Sequence, residues 1–210
     1  MRKLLLVIVV LGGLLVAADF VARGLVAEKL AGRVAASLRL EREPEVELEG
    51  FPFVTQILGG ELDGVTMSLD DISEQDVTLS SFSISLERVR FSFEDLLDQG
   101  GGQVRVAAAD GRAELDQGDL ASVLSAAGAP FEATIDQGRL LATSDAAAQQ
   151  VEIQPRIEGS QLILEVPQLG STAIPLPTPI RGITYDSVEV VPGSIHLRFS
   201  SGPAVLRAPA

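Results

Sequence analysis

The hydrophobic positions of this chain change their period once, near residue 43. Met1-Arg2-Lys3 leads into an apolar run from Leu4 to Ala18, which passes without a helix breaker into an amphipathic stretch. There Val26, Leu30, Val34 and Leu38 recur at intervals of four, flanked by Ala27, Ala31 and Ala35, with Arg23, Lys29, Arg33 and Arg39 largely off that stripe. The spacing predicts one helix ending near Leu38, with Pro44 stopping any continuation. Helical throughout, Leu4 to Leu38 would be about 50 Å long at 1.5 Å per residue.

From Glu45 onward the period is two. Val46 and Leu48 alternate with glutamates, and Leu62, Val65, Met67 and Leu69 continue the pattern, with Asp63-Gly64 read as a turn or bulge. Val77, Leu79, Phe82, Ile84 and Leu86 alternate with Ser and Thr, apart from a one-residue shift at Ser80-Ser81. Val104, Val106, Leu140, Val151, Ile153, Ile157, Leu162, Leu164 and Val166 belong to later strands, and Ile195, Leu197 and Phe199 line one face of a late one. Alternation of this kind buries one face and wets the other, as in an antiparallel sheet. Two short helices interrupt it, one turn at Phe93–Leu97 and a longer one from Asp119 to Ala127 that stops at Gly128-Ala129-Pro130. Asp-Gln-Gly at 98, 116 and 136 reads as turn chemistry, and Pro167, Pro175, Pro177 and Pro179 mark an extended, non-sheet crossing. The prediction is an α+β fold: 1–18 a signal peptide or membrane anchor, 19–42 an amphipathic helix, 43–210 an antiparallel β-sheet body, with 19–210 one domain.

Charge and composition sharpen the first segment. A basic start before an apolar run is an export signal, and Arg2 and Lys3 would hold the start inside, leaving the rest of the chain extracytoplasmic. Val16-Ala17-Ala18 offers a small-residue cleavage site before Asp19; extended through Phe20-Val21-Ala22, the run instead approaches the roughly 20 residues that span a bilayer. Both outcomes stay open. Residues 1–42 carry a net +4 and the remainder −17, so a basic stem bears an acidic body. That argues against nucleic acid, since nothing on the body would neutralise phosphates, and fits a stem facing an anionic membrane surface. The chain has no cysteine, which excludes disulfides, thiolate metal sites and cysteine nucleophiles.

No recognised catalytic constellation appears. The single histidine, His196, falls on the polar face of a strand, and a lone histidine without cysteine makes no zinc site. Asp70-Asp71 is paired by adjacency only; neighbouring strand residues point to opposite faces, so the pair suits a turn or strand end better than an acid/base dyad. There is no P-loop, Gly-x-Ser-x-Gly, Gly-x-Gly-x-x-Gly or His-Glu-x-x-His. The expectation is a protein without enzyme activity, cofactor or metal.

After the stem comes Glu49-Gly50-Phe51-Pro52-Phe53-Val54-Thr55-Gln56-Ile57-Leu58-Gly59-Gly60, then the strand opened by Leu62-Asp63-Gly64-Val65. This Gly-Phe-Pro-Phe segment, set between an Ala-rich amphipathic helix and an alternating strand, resembles the LmeA-like phospholipid-binding family of actinobacterial cell-envelope proteins. The likeness extends to Phe91-Ser92-Phe93-Glu94-Asp95-Leu96, to Ile174-Pro175-Leu176-Pro177 and to the ending Val190–Ser200. The Pro-Gly of that ending follows Val191, where the family pattern would carry leucine. The resemblance implies an envelope protein that binds phospholipid, anionic phosphoinositides in the characterised case, and supports glycolipid upkeep. It also implies a strongly curved antiparallel sheet wrapped around the N-terminal helix, similar to tubular lipid-binding proteins.

Under that reading an aliphatic groove between helix and sheet holds acyl chains, each buried methylene contributing about 0.8 kcal/mol. Val26, Leu30, Val34, Phe51, Phe53, Ile57, Leu58, Val65 and Met67 are its candidate lining, and Arg33, Arg39 and Arg42 the candidates for a lipid phosphate. Each has a plainer reading. Phe51, Pro52 and Phe53 form either an apolar lip or a turn whose phenylalanines plug the core, the aliphatic residues are groove or ordinary core, and the arginines are head-group contacts or solvated stem charges. The rival functions are a non-catalytic envelope scaffold with a fully packed core and a carboxylate-dependent glycan hydrolase.

Overall fold

The computed structural model describes residues 2–38, 40, 42–74, 77–92, 103–144, 147–167, 170–176 and 182–207. The fold is α+β, with a long N-terminal helix and a large antiparallel sheet that is not closed into a barrel. By backbone proximity the chain forms two compact units: Met1–Met67 with Ser85–Ala108 and Pro203–Ala210, and Ser68–Ile84 with Ala109–Gly202. The units are not successive segments. Two strands, β2 (Glu61–Glu74) and β3 (Val77–Phe91), contribute to both, at 14 and 15 residues well over the usual five or six.

The first unit opens with α1 (Arg2–Leu38), which ends where the sequence pattern stops, Leu40 N–H closing it onto the Ala35 carbonyl at 2.9 Å. Beyond it come β1 (Glu45–Leu48), α2 (Phe53–Gly59), the start of β2, the end of β3, β4 (Gln103–Val106) and β14 (Ala204–Arg207). β4 pairs with β3 on one side and antiparallel to β14 on the other, in the register Ala204 to Val106. Leu48, Phe53, Leu62, Val65, Val89 and Val106 form the core, and Ala22, Ala27 and Leu30 of α1 pack against it. Along the distal half of α1 the buried positions are Ala31, Val34 and Ala35. The contact face is therefore turned toward the alanines and away from Val26, because small side chains let the helix backbone approach its neighbours.

Of the turn, bulge and strand-end readings of Asp63-Gly64 and Asp70-Asp71, the turn and the strand end give way to a continuous strand. Asp63 and Gly64 lie inside β2, and the Gly64 carbonyl accepts from Glu49 N–H at 2.9 Å. Asp70 and Asp71 also lie inside β2; Asp71 takes a left-handed φ of 53°, an irregularity within the strand rather than its end. Arg88, at φ 46°, does the same in β3 and shifts the alternation so that Val89 is buried after half-buried Leu86. Across the two strands the hydroxyls of Thr66 and Ser85 are 2.9 Å apart.

The second unit holds the other halves of β2 and β3, then β5 (Ala108–Asp116), α3 (Gln117–Ala126), β6 (Glu132–Asp136), β7 (Arg139–Ser144), β8 (Ala147–Ile153), β9 (Arg156–Glu158), β10 (Gln161–Val166), β11 (Gly170–Pro175), β12 (Thr184–Val191) and β13 (Ser194–Ser201). β3, β5, β13 and β12 are neighbours in that order, while β6-β7-β8 and β11-β10-β9 are separate three-stranded sheets. The Ser80-Ser81 shift has a visible cause: Ser80 Oγ donates to the Glu114 carbonyl and accepts from Asp116 N–H, both at 3.1 Å, while Leu79, Phe82 and Ile84 stay buried. Phe82 stacks on Phe199 with ring centroids 5.2 Å apart, and Tyr185 meets Phe199 edge-on at 5.5 Å.

The Asp-Gln-Gly copies diverge in role. Asp116 caps α3, its carboxylate accepting from Asp119 N–H at 2.8 Å in a capping box, so that helix begins at Gln117, ahead of Asp119. Asp136-Gln137-Gly138 makes the β6–β7 hairpin, with φ of 48° at Gln137 and 78° at Gly138, the signature of a type I′ turn. The copy at Asp98 and the expected turn at Phe93–Leu97 lie outside the described residues. The proline stretch is not wholly a non-sheet crossing: β11 runs through it to Pro175, paired with β10 from Gln161 opposite Pro175 to Val166 opposite Gly170. Proline is tolerated there because β11 is an edge strand. Pro177 and Pro179 are outside the described residues.

Candidate functional site

The Gly-Phe-Pro-Phe segment is built onto the side of α1. Asp19 lies in the apolar part of that helix, yet its side chain is buried and both carboxylate oxygens are occupied: Phe53 N–H donates to Oδ2 and Val54 N–H to Oδ1, each at 2.9 Å. These are donors of the first turn of α2, which lack partners within the helix. Arg23, one turn further along α1, lies 3.9 Å from Asp19 Oδ2, donates to the Gly50 carbonyl, and stands over the Phe20 ring at 5.4 Å from its centroid.

The glycines of the motif are required by close approach. Gly50 has φ 91°, and a Cβ there would overlap Gln56 Nε2 and Asp63 Oδ2. Gly60 closes α2 in the left-handed conformation at φ 70°; its carbonyl accepts from Phe91 N–H at 3.0 Å, and a Cβ would lie 2.8 Å from the Phe91 carbonyl oxygen. Gln56 Oε1 accepts from Asp63 N–H at 2.8 Å, tying α2 to β2. The Phe51–Pro52 peptide is cis. Nearby, the Arg90 guanidinium 2.8 Å from Glu61 Oε2 holds that carboxyl below the usual carboxylate range.

The candidate lining residues divide three ways. Phe53, at 1% exposure, is the plug of the first unit's core; Val65 belongs to the same core, and Val34 is buried on α1. Leu30, Ile57 and Met67 are half-buried, Leu30 and Ile57 packed against that core. Phe51, Leu58 and Val26 are exposed. Among the cations, Arg33 and Arg42 are exposed and Arg39 lies outside the described residues.

Sequence reasoning passed over Asp19 and Arg23 as site residues, and it did not single out Val54. The available signal was an acid within an apolar run and a base four residues later, the spacing of a helix-side pair. His196 sits on β13 with Nε2 3.6 Å from Glu114 Oε1, both partly exposed, a surface pair of the second unit. Among the described residues no cluster of acidic, histidine or cysteine side chains could hold a metal ion.

A cleft of about 570 Å³ lies in the second unit between α3 and β6, lined by Gln117, Ala121, Leu124, Phe131, Ala133 and Thr143 among others. Its size suits a small ligand, but its lining mixes Gln117, Ser125, Thr134 and Thr143 with apolar side chains, and none of the candidate lining residues reaches it. In α1, Val10–Ser37 is long and apolar enough to cross a membrane by length and composition, which is compatible with a signal peptide or an anchor.

No curated protein and no solved structure matches the chain. One family model does, over residues 17–207, from just before Asp19 through β14, and the chain belongs to the LmeA-like phospholipid-binding family.

Proposed function

We propose that this chain is an exported, membrane-associated phospholipid-binding protein of the cell envelope. It holds acyl chains in an aliphatic groove between α1 and the sheet of the first unit, and it serves lipid or glycolipid maintenance. The observation that carries the reading is membership of a phospholipid-binding family across nearly the whole chain. The half-buried aliphatic residues Leu30, Ile57 and Met67 support it, because such residues have apolar surface left to cover. Val34, Phe53 and Val65 then form the groove floor, with Val26, Phe51 and Leu58 at its mouth.

Arg33, Arg39 and Arg42 supply the cations for the lipid phosphate, an anionic phosphoinositide head group being the one the family resemblance favours. The −17 of the rest of the chain opposes an anionic ligand only within a Debye length of about 8 Å, so local arginines can outweigh it. The alternative, a non-catalytic scaffold with a packed core, draws on the complete burial of Phe53.

The test is transfer of an acyl-labelled fluorescent phospholipid from donor vesicles to the protein. Saturable uptake is expected, and Leu30→Ser, which removes apolar contact equal to about two methylenes, weakens it about tenfold. Absence of uptake across zwitterionic and anionic head groups would favour the scaffold.

A further inference from the structure

Resting on the membrane-associated part of that reading, we propose that Phe51 and α2 are a bilayer-docking cap, held by Asp19 at the boundary between acyl chains and phosphates of the outer leaflet. The apolar run Leu4–Ala18 has 15 residues, about 22 Å of helix, against a hydrocarbon core of about 30 Å. Spanning needs about 20 residues, and the twentieth from Leu4 is Arg23. α1 is continuous across that stretch, and tilting only lengthens the requirement. A retained helix that crosses the membrane therefore draws Asp19 to Ala22 to the edge of the hydrocarbon.

An exposed aspartate there would be costly. This one is 4% exposed, covered by α2, with both oxygens bonded to the amides of Phe53 and Val54. The same two bonds set the start of α2 at the level of Asp19. What α2 and its approach then present outward is apolar: Phe51 is 58% exposed, Val54 42% and Leu58 75%, the last two on one helix face four residues apart. Phe20 and Val21 are exposed on α1 beside Asp19. In water, nothing among the described residues covers these side chains. At the boundary they are buried by lipid, and the Arg23 guanidinium, over the Phe20 ring, donates to the Gly50 carbonyl. The occupant is a bilayer and not a protein because the surface continues into the exposed apolar face of α1 at Leu11, Leu14 and Leu15, which only a membrane matches.

The chain has no cysteine, so single-cysteine reporters on the full chain are unambiguous. Val54→Cys, Leu58→Cys, Leu14→Cys and Ala36→Cys variants would carry an environment-sensitive fluorophore in vesicles of phosphatidylcholine and phosphatidylglycerol, with spin-labelled quenchers near the head group or the chain end. The expected result is loss of the Val54 and Leu58 signals to the head-group-side quencher, loss of the Leu14 signal to the chain-end quencher, and an unaffected Ala36 signal. In an added Asp19→Ala background the Val54 reporter shifts toward its emission in water while Leu14 keeps its depth; an unchanged Val54 emission would overturn the role of Asp19. Quenching at Leu14 without any at Val54 or Leu58 overturns the docking cap and leaves phospholipid binding standing. A mature mass beginning at Asp19, or no quenching at Leu14, overturns the anchor on which both the cap and membrane association rest. Emission already shifted to the blue before vesicles are added means that protein covers the patch, which also overturns the cap.

Discussion

Phe51 and Phe53 flank one proline, and burial separates them completely: one points out at 58% exposure, the other is the plug of the first unit at 1%. Residue type cannot predict that division. It goes with a contact to Asp19, whose carboxylate takes the Phe53 and Val54 amides and holds the start of α2 against α1. The sequence displays the acid but not its partner, 34 residues away, and this is why the lip and plug readings of the Phe-Pro-Phe segment could not be separated beforehand. The glycines were more legible in hindsight than as signals, since Gly50 and Gly60 answer to Gln56, Asp63 and Phe91, contacts that exist only after folding. Removing the plug gives a clear expectation. Phe53→Ala should cost about 3 to 5 kcal/mol, read as a lowered midpoint in denaturant, because a large aromatic side chain leaves a cavity that its neighbours only partly refill. A change below about 1 kcal/mol would mean that the site already holds space, which would favour groove over core.

Elements were easier to read than their irregularities. The period-four stripe placed the end of α1 near Leu38, although the amphipathic helix set at 19–42 overruns it, and period two located most strands, because burial on one side is what both patterns record. Where local rules were trusted alone, long-range pairing overrode them. Asp63-Gly64 and Asp70-Asp71 are turn-formers by composition, yet β2 runs through both pairs, accommodating Asp71 as a left-handed residue within the strand. The prolines around β11 hid an edge strand in the same way. On β5, Gly111 shows how a pairing creates a requirement: it stands opposite Phe199 on β13, and a Cβ there would overlap the ring and lie 2.6 Å from the Ser83 carbonyl oxygen. Gly111→Ala should therefore destabilise by at least about 2 kcal/mol, with loss of the Phe82–Phe199 stack visible in ring proton shifts. An unchanged unfolding midpoint would show that the Phe199 ring can move aside without cost.

At the scale of the whole molecule, the chain divides into two compact units although no linker announces them, because β2 and β3 run through both and the chain passes between the units within strands or at their ends. The α+β class was legible, since it follows from one helix and many one-sided strands. The units were not, since sharing strands leaves no trace in composition. Phospholipid binding at this scale rests on the family match, while the cleft of the second unit is lined by none of the candidate lining residues. The claim on which the account stands is that the protein holds a phospholipid. It is tested most directly by native mass spectrometry of the full chain, isolated from envelope membranes and released from its carrier in the instrument, with lipids identified from a denatured portion of the same sample. The account predicts a discrete adduct of one phospholipid mass per chain that survives release and is lost or reduced in Leu30→Ser. A bare protein mass, unchanged after incubation with phospholipid vesicles, would contradict it.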